Sequence, residues 1–570
     1  MQKIKKLIAE DIKKAVDKIK ADNTLTADTV AQMMEYPPDR SLGDIALPCF
    51  KLSRELRKSP VMIAEALAGE LNCEAVDRAV AVNGYLNIFI SDAYLCREVV
   101  SEILAEGDDY GKNSDGEGKT VVLDYSSPNI AKPFHLGHLG TTVIGHSLRK
   151  LFEFSGYKCI GINHLGDWGT SFGKQLVAYK KWGTPEDIEK NGVDGLVALY
   201  VRFHEEAEND PSLFDEARAE FTKLEHGDEE NTKLWKWFIS ISIEEYKKTY
   251  KQLDIAFDYY TGESFYTDKM PAQVELMREK GLLKIDDGAS IVDLSEYGMP
   301  PCLILKRDGS TLYPARDIAA AVYRHDTFNF DKCIYVTSAG QSLHFAQWFK
   351  VVELMGYDWY DRLVHVPYGT MSLNGEKLGT RSGNVVWLKQ LMNMSIEKVR
   401  GVIEEKNPDL PNKDEVAEEV GVGAIVFNYL SNSRIKDISF DLESALDFNG
   451  NTGPYVQYTY ARCCSILSKA GETGGVSPLT ITDPTESALV KTLSRFPEKV
   501  KEALAAYEPS MMTRYILDVA ADFNRFYHDC QILSAEDPAV RASRIKLTQA
   551  TKTVLGNAFG LICLKKPEKI

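Results

Sequence analysis

Apolar and polar residues follow different periodicities in different parts of the chain. The first twenty residues, MQKIKKLIAEDIKKAVDKIK, alternate charged and apolar positions at helical spacing. Up to about Gly111, amphipathic helix alternates with short strand-like pieces such as 81–89. The stretch 107–119 is polar and glycine-rich, which is typical of a linker. We therefore predict a separate N-terminal α/β domain over residues 1–112.

Beyond this stretch, apolar strand-like runs alternate with helical runs. The paired runs are Thr120–Tyr125 with Leu136–Phe154, Cys159–His164 with Ser171–Trp182, Cys302–Lys306 with Ala315–His325, and Lys332–Thr337 with Gln341–Met355, followed by Leu363–Pro367. This alternation is typical of a doubly wound parallel sheet, which binds ligands at the carboxyl ends of its strands. A charged, mostly helical stretch at about 184–288 interrupts it. The pattern predicts a Rossmann-like domain over 113–388, divided by a helical insertion.

From about residue 388 the strand signals fade, which predicts an all-α bundle over 389–570. A length of 570 residues agrees with several domains, and 44% hydrophobic and 26% charged residues are typical of a globular protein. No segment approaches eighteen uninterrupted apolar residues, and the first residues lack the apolar stretch of a signal peptide. We therefore expect a cytoplasmic protein with no membrane partner.

Charge and cysteine content restrict the possible partners. A net charge of -16 repels nucleic acid, so an RNA partner would have to be held by local basic or aromatic surfaces. The ten cysteines form no C-x-x-C pair, so we expect reduced thiols and neither a structural zinc ion nor a disulfide framework.

The segment 124–138, DYSSPNIAKPFHLGH, is the best candidate for chemistry. It follows an apolar strand and opens a helix, and its two histidines, His135 and His138, are three residues apart and share one face of the first turn. Gly137 between them has no side chain, so a flat ring could approach the backbone. Because a helix N-terminus favours anions, this arrangement suits ATP, with the imidazoles stabilising charge on the α-phosphate during adenylyl transfer.

Other interpretations of these residues compete with ATP binding. Two histidines can fall near a helix start without a function. The histidines His135, His138, His146 and His164 cluster in the sequence, but they lack the acidic partner of H-E-x-x-H, and Lys132 would repel a cation. We therefore predict no metal site.

Three further alternatives concern the activity. The segment 169–173 fits G-x-S-x-G with Ser171 as nucleophile, but residues 166–169 separate that serine from the strand, and no HGGG-type segment precedes it. A small-molecule adenylyltransferase would also use H-x-G-H, without needing a helical C-terminal third. An RNA-binding scaffold with an inactive nucleotide site would show no ATP–pyrophosphate exchange.

The segment 124–138 is similar to the HIGH signature of class I aminoacyl-tRNA synthetases. Its surroundings, SSPNIAKPFHLGH and NHLGDWGTSFG, resemble the arginyl-tRNA synthetases, as do GDIALP, LYPARD, GQSLHF, KLGTRSG and TGPYVQYTYAR in that order. The resemblance implies a class I fold with an N-terminal additional domain and an anticodon-binding bundle. It also implies that ATP, with Mg²⁺, activates L-arginine to arginyl-adenylate, and that the arginyl group passes to the 3′-terminal adenosine of tRNA(Arg). We expect a monomer.

For catalysis, the resemblance places Lys377 at the first lysine of the family's mobile KMSK loop. Thr380 replaces the second lysine, and Lys132, just upstream of the histidines, is the candidate to compensate. Ordinary solvated loop lysines are the alternative. The implied catalytic residues are His135, His138, Lys132 and Lys377, and the implied ATP-binding residues are Pro128, Phe134, Gly137, Gly379, Thr380 and Arg381.

A guanidinium group needs planar acceptors, preferably carboxylates. Asp124 ends a predicted strand, and Tyr313 and Asp317 are four residues apart at a helix start. The resemblance implies that the arginine side chain is held by Asp124, Tyr313, Asp317 and Gln341, and that Asn129 holds its amino acid end. The family often has glutamate where Asp124 stands, so its reach is one methylene shorter here. The alternative for Asp317 is a carboxylate that only stabilises a helix N-terminus.

Candidate RNA contacts lie in two places. Tyr455, Tyr458 and Arg462 form one stripe of a predicted helix and could stack on bases of an RNA loop. Such a stripe usually packs in a core, but the resemblance favours contact with the anticodon loop. It also implies that Tyr85 and Asn87 touch the tRNA elbow.

Overall fold

The computed structural model describes residues 1–132, 134–373, 376–377, 387–471 and 479–570. Its N-terminal part contains helices α1 to α6 and strands β1 to β3. In chain order these are α1 (Gln2–Ile19), α2 (Ala27–Met33), β1 (Ile45–Pro48), α3 (Phe50–Leu56), α4 (Pro60–Glu70), β2 (Val76–Val82), β3 (Tyr85–Ile90), α5 (Asp92–Tyr94) and, after a π-helical segment, α6 (Ser101–Glu106). The strands form an antiparallel sheet in the order β1-β3-β2.

The predicted strand-like piece 81–89 is a hairpin rather than one strand. Its turn is Asn83-Gly84, and both residues have positive φ, 50° and 81°. Two-residue turns of this kind match the twist of the flanking strands, and Asn-Gly is the pair that adopts them with least strain. The turn reverses the chain between β2 and β3.

The predicted linker packs against the C-terminal bundle. Tyr110 is buried, and its hydroxyl donates to the carbonyl of Leu493 at 3.4 Å. The amide of Asn557 donates to the carbonyls of Gly107 at 3.0 Å and Tyr110 at 3.2 Å. The polar composition therefore did not predict these contacts with the bundle.

The middle of the chain contains the doubly wound sheet that the sequence predicts. Its elements are β4 (Thr120–Asp124), α7 (Leu136–Phe154), β5 (Lys158–Asn163), α8 (Thr170–Trp182), α9 (Pro185–Asn209), α10 (Leu213–Glu225), α11 (Glu229–Gln252), β6 (Tyr259–Tyr260), α12 (Met270–Glu279), β7 (Leu283–Asp286), β8 (Ala289–Val292), β9 (Cys302–Leu305), α13 (Tyr313–Phe328), β10 (Lys332–Ser338), α14 (Ser342–Leu354) and β11 (Leu363–Tyr368). Within the described ranges the main sheet has the order β11-β10-β4-β5-β6, and all its pairs are parallel. The prediction of a parallel α/β sheet is confirmed.

One strand that the alternation predicted for the main sheet belongs to another sheet. The run at Cys302–Lys306 forms β9, which pairs antiparallel with β8 in a separate sheet of order β7-β8-β9. Apolar alternation shows that one face of a strand is buried, but it does not identify the partner strand. The segment 184–288 also differs from a purely helical insertion, because β6 returns to the main sheet and pairs with β5.

The remaining elements follow the main sheet. They are β12 (Met371–Leu373), β13 (Glu376–Lys377), α15 (Leu388–Lys406), α16 (Lys413–Leu430), β14 (Ile438–Phe440), α17 (Leu442–Ala445), α18 (Gly453–Ala470), α19 (Pro484–Leu493), α20 (Phe496–Ala506), α21 (Ser510–Asp529) and α22 (Pro538–Leu561). The bundle is helical as predicted except for β14, which pairs in parallel with β12 and attaches the bundle to the sheet domain. The ten cysteines are free thiols. Among the described residues, no helix is long and apolar enough to cross a membrane.

Candidate active site

The loop between β4 and α7 has an unusual backbone. Ser126, Ser127 and Ala131 have positive φ values of 72°, 49° and 56°. Non-glycine residues pay a conformational cost in this region, and such strain persists only where surrounding contacts enforce it. The loop also makes a bridge to residue 166, where a Cβ on Gly166 would lie 2.1 Å from Oδ1 of Asn129. A glycine is required there for the two segments to meet.

Helix α11, which belongs to the predicted insertion, holds this loop in place. The hydroxyl of Tyr246 lies 2.6 Å from the carbonyl of Asn129 and 2.7 Å from that of Lys132. Ser242 accepts a hydrogen bond from the amide of Ala131 at 3.1 Å, and the hydroxyl of Tyr250 lies 2.7 Å from Oγ of Ser126. Because the three α11 side chains are four residues apart, they form one stripe facing the loop. The sequence analysis did not find this stripe.

The two histidines of the motif form a capping box at the start of α7. Nδ1 of His135 accepts the amide proton of Gly137 at 3.1 Å, and Nδ1 of His138 accepts that of His135 at 3.2 Å. A neutral imidazole that accepts at Nδ1 carries its proton on Nε2. The capping box therefore leaves Nε2–H of each ring as a donor. The rings stack with centroids 3.8 Å apart, and a Cβ on Gly137 would lie 2.9 Å from the His135 ring.

The surroundings keep both imidazoles uncharged. Burial, followed by the charge of Lys132, lowers the pKa of His135. Burial lowers the pKa of His138 to about 3, and His135 and Lys132 add to the effect. At neutral pH the two rings are hydrogen-bond donors without a net charge. Positive charge near them comes from Lys132 and from the N-terminal end of α7.

The chain returns to this motif after the KMSK-like segment. Lys377 lies in β13, and Trp387 forms an antiparallel bridge with His135. The amide of Leu388 donates to the carbonyl of Phe134 at 3.2 Å. The predicted ATP contacts Gly379, Thr380 and Arg381 lie outside the described residues.

Asp124, a predicted arginine contact, already has a cationic partner. It is buried at the end of β4, and Oδ2 lies 2.8 Å from the guanidinium of Arg324, which is itself 1% exposed. Its Oδ1 accepts a hydrogen bond from Ser127 at 2.9 Å. Asp124 is therefore partly satisfied by the guanidinium of Arg324 and by Ser127 in the loop between β4 and α7, hereafter the nucleotide loop. Sequence reasoning did not identify Arg324.

Asp317 and Glu263 form a second, acidic part of the site, close enough for their charges to interact. Oδ2 of Asp317 is 2.6 Å from Nε2 of His344, and Oε2 of Glu263 is 2.7 Å from Arg316. Burial raises the pKa of Glu263 to about 7, Arg316 opposes this, and the nearby charges of Asp167 and Asp317 raise it further. The sequence analysis missed Glu263. A carboxylate in the polar run 261–264 carries no motif, and the only signal was its position just after a strand of the sheet.

The other predicted arginine contacts lie at the starts of α13 and α14 and in the loop between β4 and α7. Tyr313 is 65% exposed at the first turn of α13, four residues before Asp317. Gln341 is exposed at the start of α14, and Asn129 is exposed in the nucleotide loop, whereas Pro128 is buried. Tyr313 follows β9, so it does not lie at the end of a strand of the main sheet as expected.

His164 was not assigned a role from the sequence. It is close to the carboxylates of both places described above, Asp124 at the end of β4 and Asp317 on α13. It lies within electrostatic range of Asp124, Asp317 and Asp167, yet burial lowers its pKa. Its Nδ1 is buried without a hydrogen-bond partner among the described residues. The site thus combines neutral imidazole donors at the start of α7 with carboxylates at the end of β4, on α13 and after β6.

The alternative interpretations receive no support from the described residues. No three His, Cys, Asp or Glu side chains in the described ranges are placed to hold a metal ion. His146 instead lies 3.1 Å from the hydroxyl of Tyr125 through Nδ1. Residues 164–169 separate β5 from α8, so Ser171 follows the strand at a distance that a nucleophile elbow does not have.

Comparison with known proteins agrees with this geometry. Residues 99–442 match the family model for the catalytic domain of class I tRNA synthetases (R), residues 2–90 the arginyl tRNA synthetase N-terminal domain, and residues 456–570 the DALR anticodon binding domain. The chain is 52% identical over 545 residues to the arginine–tRNA ligase of Alkaliphilus metalliredigens, covering 95% of this chain and 96% of that protein. It is 48% identical to that of Clostridioides difficile over 100% of both chains.

The chain belongs to the arginyl-tRNA synthetase family.

Solved structures lead to the same family. The arginyl-tRNA synthetase of Thermus thermophilus superposes with a TM-score of 0.82 at 26% identity, covering 98% of this chain and 99% of that one. The enzyme from Plasmodium falciparum gives 0.80 at 25% identity, covering 99% and 98%. The predicted class I fold and the activity of an arginine–tRNA ligase are confirmed, and use of ATP follows from the class.

The aromatic stripe of this arginyl-tRNA synthetase lies on α18. Tyr458 is 43% exposed, and the guanidinium of Arg462 lies 5.0 Å from its ring and 4.7 Å from that of Tyr527 on α21. Tyr455 accepts a hydrogen bond from Asn524 at 3.0 Å. Part of the stripe is therefore an exposed aromatic and cationic surface, and part is packed. Tyr527 and Asn524 extend it, and the sequence analysis missed both.

The two residues predicted to contact the tRNA elbow differ in exposure. Tyr85 is partly exposed at the start of β3, and its ring meets that of Phe50 edge to face at 5.1 Å. Asn87, on the central strand of the sheet, is buried, at 6% exposure. In this structure only Tyr85 has surface available for the predicted contact.

Proposed function

We propose that the cleft between α7 and α13 activates L-arginine with ATP and transfers the arginyl group to the terminal adenosine of tRNA(Arg). The observation that carries this proposal is the capping box of His135 and His138. It fixes two neutral Nε2–H donors at a helix N-terminus, beside a pocket lined with carboxylates. Adenylyl transfer needs donors where phosphate charge develops, and arginine needs acidic acceptors, so the two ends of the cleft match the two substrates.

In the first step, the carboxylate of arginine attacks the α-phosphorus of ATP and pyrophosphate leaves. His135 and His138 donate to phosphate oxygens through Nε2–H, and Lys132 supplies a positive charge beside them. In this proposal Pro128, Phe134 and Gly137 are the nucleotide contacts on this loop, although Pro128 and Phe134 are buried in this structure. The proposed KMSK-like segment also contacts ATP, through Lys377, Gly379, Thr380 and Arg381. Because Thr380 has no charge, Lys132 supplies the second cation.

At the other end of the cleft, carboxylates select the guanidinium. Asp317 offers acceptor positions that a planar, permanently charged group can bridge, and Glu263 is a second candidate acceptor that the folded chain brings beside it. Tyr313 and Gln341 complete the surroundings of the side chain. Asn129 holds the amino acid end. Asp124, which Arg324 and Ser127 hold in position, contributes a further carboxylate for the arginine side chain.

In the second step, the terminal adenosine of tRNA attacks the arginyl-adenylate and AMP leaves. We place anticodon contact on Tyr455, Tyr458 and Arg462 of a bundle over 389–570, and elbow contact on Tyr85 of a domain over 1–112, with residues 113–388 as the catalytic domain. Asn87 would contribute only if its surroundings opened. The chain acts as a cytoplasmic monomer in this proposal.

Magnesium fits this site as a companion of ATP rather than as a resident ion. Among the described residues no cage of acidic ligands is present, and Mg²⁺ is commonly held through substrate phosphates with few protein ligands. Bound in that way it would neutralise phosphate charge. The roles of His135, His138 and Lys132 described above do not depend on its position.

Pyrophosphate exchange tests the proposal directly. With tRNA(Arg) present, we expect exchange with arginine and not with lysine, ornithine or citrulline, because lysine lacks the planar fork and citrulline lacks the charge. Without tRNA we expect little exchange, because docking of tRNA would complete the catalytic site by induced fit. Exchange with another amino acid, or none with any, would contradict the proposed function.

A further inference from the structure

One contact in the cleft involves a residue to which no substrate role has been given. Nε2 of His344 lies 2.6 Å from Oδ2 of Asp317. His344 is on the first turn of α14 and Asp317 on the second turn of α13, so the contact joins two helices at the rim of the cleft. Both side chains keep part of their surface open, 30% for His344 and 27% for Asp317.

The geometry leaves one carboxylate oxygen available. Oδ1 of Asp317 has no hydrogen-bond partner among the described residues, whereas Oδ2 accepts a hydrogen bond from Nε2 of His344. A free aspartate side chain rotates about two bonds, and a donor fixed to one oxygen removes most of this freedom. Partly exposed ion pairs contribute little to stability, so stability alone does not account for a contact at this place.

The position of His344 is itself well defined. The next residue, Phe345, stacks on His365 of β11 with centroids 4.4 Å apart and planes 7° apart. Nε2 of His365 lies 2.8 Å from Oγ1 of Thr337, at the end of β10. These contacts hold the first turn of α14 on the sheet. His344 is also three residues after Gln341, so the two side chains share one face of the helix start.

We propose that His344 is a positioning residue for arginine recognition, which holds Oδ2 of Asp317 so that Oδ1 faces the guanidinium. This inference rests on the proposed function, in which Asp317 contacts the substrate. His344 does not touch arginine. It acts through Asp317 by donating from Nε2, and its contribution is lost when that carboxylate is replaced.

The test uses the full-length enzyme and steady-state aminoacylation of tRNA(Arg). His344→Leu removes the donor at similar volume, and we expect it to raise the arginine KM roughly tenfold, the effect typical of losing one hydrogen bond to a charged group. The KM for ATP should not change. His344→Gln places an amide N–H near the position of Nε2 and should restore an arginine KM close to that of the wild type. His325→Leu, on the neighbouring α13 but stacked on Trp359, is the matched control and should leave the arginine KM unchanged.

A double-mutant cycle separates positioning from packing. In an Asp317→Asn background, His344→Leu should raise the arginine KM no further, because the two residues act as one unit. Full additivity, equal damage by Leu and Gln, or a wild-type KM in His344→Leu would overturn the inference. Thermal unfolding identifies a misfolded variant, and His344→Asn, too short to reach Asp317, then replaces His344→Leu. If Asp317→Asn itself has a normal arginine KM, the proposed arginine contact fails rather than the coupling.

Discussion

Replacing Tyr246 with phenylalanine should slow arginine activation without unfolding the protein. The hydroxyl of Tyr246 is shared between the carbonyls of Asn129 and Lys132, at 2.6 and 2.7 Å, and the side chain is fully buried. Tyr246→Phe keeps the ring, which meets that of Phe134 edge to face at 6.0 Å, but removes the hydroxyl that is hydrogen-bonded to the nucleotide loop. The loop then holds its left-handed residues with one fewer restraint.

The size of the effect follows from these contacts. Losing a buried hydrogen bond and leaving its acceptor unsatisfied costs about 1–3 kcal/mol. Each left-handed non-glycine residue stores a further cost of order 1 kcal/mol, so the lost restraint is comparable with the strain it opposes. Without this restraint, holding Lys132 and the histidines in their catalytic positions costs about 1.4–2.8 kcal/mol more. If this cost adds to the activation free energy, the rate falls roughly 10- to 100-fold.

The assay is tRNA-dependent pyrophosphate exchange at saturating arginine and ATP, together with thermal unfolding. The rate should fall by the factor above, while Tm falls by only a few degrees, since about 1 kcal/mol shifts Tm by ~2–4 °C in a domain of this size. Tyr200→Phe is the control, because Tyr200 lies on α9 of the same insertion, its ring meets that of His204, and its hydroxyl has no hydrogen bond to the described residues. An exchange rate within about twofold of wild type would refute the idea that α11 holds the loop for catalysis.

Three other substitutions test the two ends of the cleft and the bundle. His138→Ala should reduce exchange by roughly a hundredfold with tRNA binding intact, and an unchanged rate would remove the motif from the active site. Burial raises the pKa of Glu263 to about 7, and only its ionised form attracts a guanidinium, so the arginine KM should rise as pH falls below about 7. Glu263→Gln should bind arginine weakly and lose this pH dependence, and a pH profile like that of the wild type would contradict the assignment. Arg462→Gln should weaken tRNA binding about tenfold, measured by filter binding, without changing the arginine KM, because it removes a cation from the stacking surface. Equal tRNA affinity would place the anticodon elsewhere.

Local features of the site could be predicted because they depend on residues close in sequence. His135 and His138 are three residues apart, and the structure places His135 at the N-cap of α7 and His138 on its first turn. The alternation of strands and helices predicted the parallel sheet, since each βα unit buries its own apolar face. The motifs also indicated the family, which the comparisons then established.

Other parts of the site depend on which elements pack against each other in the folded chain. Tyr246 reaches the nucleotide loop from more than a hundred residues away in sequence, and nothing in the charged pattern of the insertion distinguishes its buried stripe from an ordinary helix face. The same reason explains β9, whose alternation is that of a half-buried strand but whose partner is β8.

The sequence alone therefore determined the local geometry of the histidine pair, the class of the sheet and the residue types available to bind two substrates. Only the tertiary structure decided their partners, namely Arg324 for Asp124, His344 for Asp317, and Arg316 for Glu263. Hydrophobic periodicity shows that one face of an element is buried, but it does not show which element covers that face. Burial of apolar surface is favourable whichever element covers it. Hydrogen bonds and ion pairs are directional and short-ranged, so the partners of each carboxylate are fixed only when distant segments pack together.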